Sequence, residues 1–271
     1  MDPKQNPFSI YDFLGYFIPG ACLLYIIIYM NLDNSLLDLL LKENYNLSNL
    51  NYLPFIITSY ISGHFLSYMS SITIEKYSIW SSGYPSKYLL RIPGPKSYFL
   101  KNRFYSNCKR LFTALIIFPI TAHDLVFGKL LNLDFLKSRC LDQTIVDLIL
   151  ENAKKAYEKI DCNRKGGEIN ANDEDFFTML YHYVLERNKN HSMKIQNYVA
   201  LYGFLRCITL IFVISFWLSV FNFFNLYEDT TKYILLLSLT SFLSFIFYMA
   251  FKKFYRRYSL ETLMALATME H

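Results

Sequence analysis

Four stretches of this chain are long and apolar enough to span a bilayer, at 13–30, 53–74, 199–224 and 233–251. Between the second and third the pattern changes. Apolar residues there recur at helical spacing among polar ones, which predicts amphipathic helices packed on one another. The longest periodic run is 173–224, where Phe176, Phe177, Leu180, Val184 and Ile195 mark one face. Asn172 or Asp173 is placed to cap its start, and Glu174 and Asp175 suit the positive end of a helix dipole. From Val199 onward the run turns apolar all round, broken mainly by Arg206. Unbroken, about 50 residues at about 1.5 Å each make a rod of about 75 Å. The alternative is two helices with a kink near Gly203.

Upstream, LDQTIVDLILENAKKAYEKI (141–160) predicts an amphipathic helix with Leu141, Ile145, Leu148 and Ile149 on one face. The segment 161–172 then makes the turn into the long run. β-signals are few, so the middle of the chain reads as a helical module of about 100 residues.

Charge orients these segments. Residues 75–110 hold eight Lys and Arg against Glu75 alone, and Lys252, Lys253, Arg256 and Arg257 follow the fourth apolar stretch directly. By contrast, 33–52 holds Lys42 against Asp33, Asp38 and Glu43, and 225–232 holds Lys232 against Glu228 and Asp229. The positive-inside rule therefore places both termini and the middle segment in the cytoplasm. A fifth apolar run, LFTALIIFPITA (111–122), is short and interrupted by Pro119. Counting it as a span would put Lys252 to Arg257 outside. It reads instead as an interfacial or re-entrant element, or as part of the module core. The expected architecture is thus an all-α membrane protein. A hairpin of spans occupies 1–74, a helical cytosolic module 75–198, a second hairpin 199–251, and a basic amphipathic tail 252–271.

Composition agrees with this picture: 53% of residues are hydrophobic and 18% aromatic. The five cysteines, Cys22, Cys108, Cys140, Cys162 and Cys207, are scattered, with no C-x-x-C pair. That spacing fits a reducing compartment and neither a zinc site nor a disulfide framework. The apolar opening segment contains Pro19 and Gly20 and is not expected to be a signal peptide.

Little in the pattern points to catalysis. Asp161, Asn163 and Gly166 fall at the first, third and sixth places of a calcium loop, but Lys165 and Asn172 stand where carboxylates are needed. No phosphate loop, nucleophile elbow or HExxH motif is present, so neither an enzyme nor a metal or cofactor is expected. More informative is the second span. Ser59, Gly63, Ser67 and Ser70 form a small-residue stripe of the kind that lets helices approach closely in lipid. Tyr60, His64, Tyr68 and Ser71 make a more polar face beside it, and His64 at mid-span needs a partner helix or water. These positions are candidates for helix contact or for lining a pore. Arg206, near a span end, is expected to snorkel to the interface.

The basic segment interleaves Lys87, Arg91, Lys96, Lys101, Arg103, Lys109 and Arg110 with Tyr84, Tyr88, Tyr98, Phe99, Phe104 and Tyr105. Cations hold phosphates and rings stack on bases, so this is a candidate surface for single-stranded nucleic acid. The same cations serve equally as a topology signal resting on anionic lipid.

Four stretches carry a resemblance that spans most of the chain: YDFLGYFIPG (11–20), GYPSKYLL (83–90), FGKLL (127–131) and YHYVLERNKNHSMKIQNYVALYGFLR (181–206). They resemble the membrane effectors of Hailong-type anti-phage defence systems, which are encoded beside a nucleotidyltransferase. The resemblance implies a homotetrameric ion channel controlled by short single-stranded DNA from that partner enzyme. It assigns no individual residue a role. The competing expectation is a non-conducting scaffold that docks a cytosolic enzyme.

The charge contrast makes the topology testable by cysteine labelling of intact cells. Label added from outside should reach cysteines placed at Asn46 and Glu228 and miss one placed at Lys101. Labelling at Lys101 would overturn the topology.

Overall fold

A computed structural model describes residues 13–31, 53–95, 97–131, 139–160, 171–173, 175–225 and 230–269. Most of the two acidic outer segments, most of the 161–172 turn, and Lys96 lie outside the described residues. Among the described residues every regular element is helical: α1 Ile18–Asn31, α2 Leu53–Ser70, α3 Lys76–Ser82, α4 Pro85–Leu89, α5 Phe104–Ile116, α6 Phe118–His123, α7 Gln143–Ile160, α8 Phe176–Arg187, α9 Lys189–Asn225 and α10 Thr230–Ala267. Three wider π-helical turns adjoin them, at Phe13–Phe17, Ser71–Glu75 and Asp124–Leu130.

Two helical stretches are long and apolar enough to cross a membrane, His191–Phe224 and Thr231–Ala267. At about 1.5 Å per residue each exceeds a hydrocarbon core of about 30 Å, so part of each lies beyond it. A third candidate is the pair Phe104–Ile116 and Phe118–Gly128, bent by 94°. Pro119, at the second position of α6, stands just past the bend, where its missing N–H costs nothing. The apolar run at 111–122 is therefore a broken helix.

The chain forms two compact units. The first comprises Met1–Tyr77, Arg103–Asn132 and Ala200–Phe251; the second comprises Ser78–Asn102, Leu133–Val199 and Lys252–His271. Charge alone assigned 103–132 to the polar module, yet these residues group with the apolar helices. Likewise the segment from Lys252 is no separate tail: α10 continues as helix to Ala267 and belongs there to the second unit. The division falls inside α3, α9 and α10, each of which contributes residues to both units.

In the second unit the core gathers Leu89 and Leu90 beside α4, Val146, Ile149, Ala153 and Ala156 of α7, Phe176, Leu180 and Val184 of α8, Ile195 of α9, and Leu263 and Leu266 of α10. Of the face expected from sequence, Ile149 is buried and Leu141 and Ile145 pack against this core, whereas Leu148 is 46% exposed. Asn152, buried on α7, donates through Nδ2 to the carbonyls of Leu266 and Ala267 at 3.2 and 3.1 Å. It adds a donor to the last carbonyls of α10. Glu261 accepts from His191 and Lys194, both at 3.0 Å, tying the first turns of α9 to α10.

The long run from 173 is not one rod. It breaks at Asn188, whose backbone leaves the helical region (φ −118°, ψ 83°). Asn188 Oδ1 accepts from the His191 N–H at 3.2 Å, so this residue ends α8 and caps α9. Gly203, the expected kink, lies within an unbroken helix, and a Cβ added there meets nothing within 4 Å.

In the first unit the small stripe is an inter-helix contact within one chain. Ser59, Gly63 and Ser70 are buried. A Cβ on Gly63 would land on the Tyr16 carbonyl oxygen, and one on Gly20 would land on the Ser59 carbonyl oxygen. The two helices meet backbone to backbone at both glycines, which any side chain would prevent. Gly63→Ala should therefore lower the melting temperature in detergent, at a cost of about 1–3 kcal/mol. Gly203→Ala should leave it unchanged or raise it slightly. Equal melting of the two variants would show that the crossing tolerates a methyl group.

Candidate functional site

Polar groups of the first unit converge where α2 ends. Ser70 Oγ donates to the Ser67 carbonyl at 3.0 Å, Ser71 Oγ to that of Tyr68 at 2.7 Å, and Thr73 Oγ1 to that of Met69 at 2.7 Å. Hydroxyls bonded back onto the preceding turn offer its carbonyls an alternative to the helical ladder. Here the backbone widens into the π-helical turn Ser71–Glu75, a form that concentrates at functional positions.

That turn ends on Glu75, whose carboxylate pairs with Nη1 of Arg206 from α9. Both side chains are largely withdrawn from solvent, 19% and 11% exposed. The remaining guanidinium nitrogens also have partners. Nε donates to Ser70 Oγ at 3.1 Å, and Nη2 to the Ser67 carbonyl at 3.3 Å and, more weakly, to Ser67 Oγ at 3.5 Å. Ser70 Oγ lies 3.7 Å from Cys207 Sγ. Arg206 therefore does not snorkel. Once a carboxylate and two serines satisfy it inside, no free energy is gained by stretching outward. The arrangement is neutral overall and offers no activated nucleophile. What it supplies is a geometry-specific bond between the end of α2 and the middle of α9.

A second polar contact lies on the return arm of the bent pair. Tyr77 OH donates to Asp124 Oδ2 at 2.8 Å. The neighbouring His123 ring has Nδ1 2.6 Å from the Pro119 carbonyl and stacks on Phe245 with centroids 5.3 Å apart. Among the described residues no group of three His, Cys, Asp or Glu is placed to hold a metal ion.

The residues singled out from sequence separate into distinct places. Ser59 and Gly63 serve the α1–α2 crossing, while Ser67 and Ser70 serve Arg206. His64 stays exposed, stacked on Tyr16 at 4.0 Å and edge-on to Tyr60 at 4.6 Å. The basic residues fall in both units. Lys87 Nζ donates to the Asn172 carbonyl at 2.9 Å, and Arg91 Nε to that of Leu141 at 2.7 Å. With Lys101 these belong to the second unit, whereas Arg103, Lys109 and Arg110 belong to the first. Lys109 and Arg110 lie on α5, whose apolar side chains Phe104, Leu111, Phe112 and Leu115 are all exposed. Lipid contact suits such a helix better than nucleic acid does.

Glu75 was missed as a site residue. Its signal was visible, since it is the one acid among eight bases in 75–110. Its distance in sequence from Arg206 hid the pairing.

No family model, curated protein or solved structure matches this chain.

Removing one member of a buried pair strands a charge, so Glu75→Gln or Arg206→Met should each cost about 3–5 kcal/mol. The double variant should cost clearly less than the sum of the two. Melting of all four proteins in one detergent measures this, and additive losses would show that the charges do not depend on each other.

Proposed function

We propose that this chain is the subunit of a four-span, homo-oligomeric ion channel of the bacterial inner membrane, gated by a ligand. It is read as an anti-phage effector and not as an enzyme. Short single-stranded DNA, made by a nucleotidyltransferase encoded nearby, is the controlling ligand. The observation that carries this reading is the Glu75–Arg206 pair, buried among apolar helices with Arg206 inside a stretch long enough to cross a membrane. Ionisable groups are costly at such depth and cluster at ion pathways and at contacts with two discrete arrangements. Supporting it further, α9 and α10 each belong to both units, so a ligand on the polar unit addresses helices that also carry the apolar one. The ligand shifts the channel only by binding its two states unequally.

The four-span count adds the α1 and α2 segments to the two long helices. Phe13–Ile28 is apolar but short, and α2 carries His64 and several serines. Both are stretches that an oligomer would shield. The rival reading is a non-conducting scaffold that anchors a cytosolic enzyme, and it rests on the same helices without a pore.

Planar-bilayer recording of the purified protein separates the two readings. The channel reading expects a current that changes when a short single-stranded DNA is added, and Glu75→Gln should shift the fraction of time open. Absence of current with and without oligomer, from protein that retains its oligomeric mass, would favour the scaffold.

A further inference from the structure

We infer that Arg91, Arg139 and Arg256 form a binding site for the phosphodiester backbone of a short single-stranded oligonucleotide. The inference rests on the DNA-controlled reading above and assigns it a site. It keeps Arg91 from the basic segment 87–110 and adds Arg139 and Arg256 from elsewhere in the second unit.

The three arginines come from distant points of the chain but meet around one short stretch of the second unit. Residues 139–141 pass beside the end of α4, where the Leu141 N–H donates to the Leu89 carbonyl at 3.1 Å. Arg91 holds the same stretch by donating from Nε to the Leu141 carbonyl at 2.7 Å. Arg256 of α10 holds it by donating from Nη2 to the Arg139 carbonyl at 3.3 Å. The Arg256 guanidinium also lies near enough to Tyr88 to pull its hydroxyl pKa down, although burial prevails and pushes that pKa up to about 12.

Several features set these cations apart from ordinary surface charges. Arg91 sits at φ 60°, a left-handed conformation uncommon for a side-chain-bearing residue, and such outliers persist where something over-determines them. Arg256 Nε is buried and has no hydrogen-bond partner among the described residues. A buried charged donor left in this state is expensive, which makes it a natural place for an anionic acceptor. No carboxylate among the described residues is ion-paired with any of the three. Asp142, next to the clamped stretch, is exposed. Each guanidinium retains a planar fork of donors suited to two phosphate oxygens.

A phosphate site needs a surface for the rest of the ligand. Tyr84, 41% exposed, lies on the preceding turn with Lys87 over its ring at 5.9 Å. An exposed ring beside backbone-binding cations suits an unpaired base, which stacks without regard to sequence. Lys87 itself is engaged with the Asn172 carbonyl, next to Asp173, and is not counted among the phosphate ligands.

Fluorescence anisotropy with a labelled thymidine hexanucleotide tests the site on the full chain in detergent. Arg139→Gln is the decisive variant. The contact with Arg256 uses the carbonyl of Arg139 and not its guanidinium, so the fold should be untouched while affinity falls about tenfold. The slope of log affinity against log salt should also decrease by about 0.7, one single-strand phosphate contact. Arg256→Lys keeps the charge but loses the fork, and should weaken binding less than Arg256→Gln. Lys109→Gln on α5 should bind as wild type does. If wild type binds and Arg139→Gln binds equally well, the site is wrong while the DNA-controlled reading stands. If wild type binds no hexanucleotide, that reading fails and the site with it. Competition by inorganic phosphate at equal phosphate concentration would reassign the site to a single phosphate. Competition by anionic phosphatidylglycerol vesicles, but not neutral ones, would reassign it to a lipid headgroup.

Discussion

A guanidinium inside an apolar helical unit has to be neutralised where it stands. Glu75 does this for Arg206, and much of the first unit's detail follows from that requirement. The carboxylate must reach α9, and it does so from the end of a widened turn. The hydroxyls of Ser70, Ser71 and Thr73 stabilise that turn by satisfying carbonyls of the preceding one. Ser67 and Ser70 then complete the guanidinium's hydrogen bonds. Bonds of this kind are directional and short in reach. They hold one register of α2 against α9 more strictly than apolar packing does, because a shift of one turn would strand both charges.

Apolar contact does the remaining work, and it takes a different form in each unit. In the first, Gly20 and Gly63 bring two backbones together because hydrophobic burial gives no drive between helices in lipid. In the second, large side chains of five helical elements share one core, as in a water-soluble bundle. The contrast explains why α9 and α10 change character along their length. Each is polar on one side where it belongs to the second unit and apolar all round where it belongs to the first.

The cations divide along the same line. On α5 they share a helix with an exposed apolar stripe, the arrangement suited to a membrane surface. In the second unit they clamp backbone carbonyls and leave donors over, the arrangement suited to a phosphate. A net charge of +5 therefore serves more than one task, and the position of each cation in the fold decides which.

Much of the architecture was legible in the residues themselves. Helical class, the two long apolar stretches and the core of the second unit all depend on local periodicity, which tertiary contacts reinforce. The small stripe on α2 was legible in part: Ser59 and Gly63 serve the close approach that small residues permit, while the use of Ser67 and Ser70 by Arg206 was not visible. What the sequence could not decide were contacts between distant positions. Asn188 as the break, in place of Gly203, depended on a cap that forms at that one turn. On α7 the core takes in Val146 and Ala153 beside the expected Ile149 and leaves Leu148 exposed, although Leu148 looked equally apolar. Glu75 with Arg206, Arg91 with the Leu141 carbonyl, and Arg256 with the Arg139 carbonyl are contacts across many tens of residues. Spacing along a chain carries no information about them, because charges act through distance in space and only the fold sets that distance.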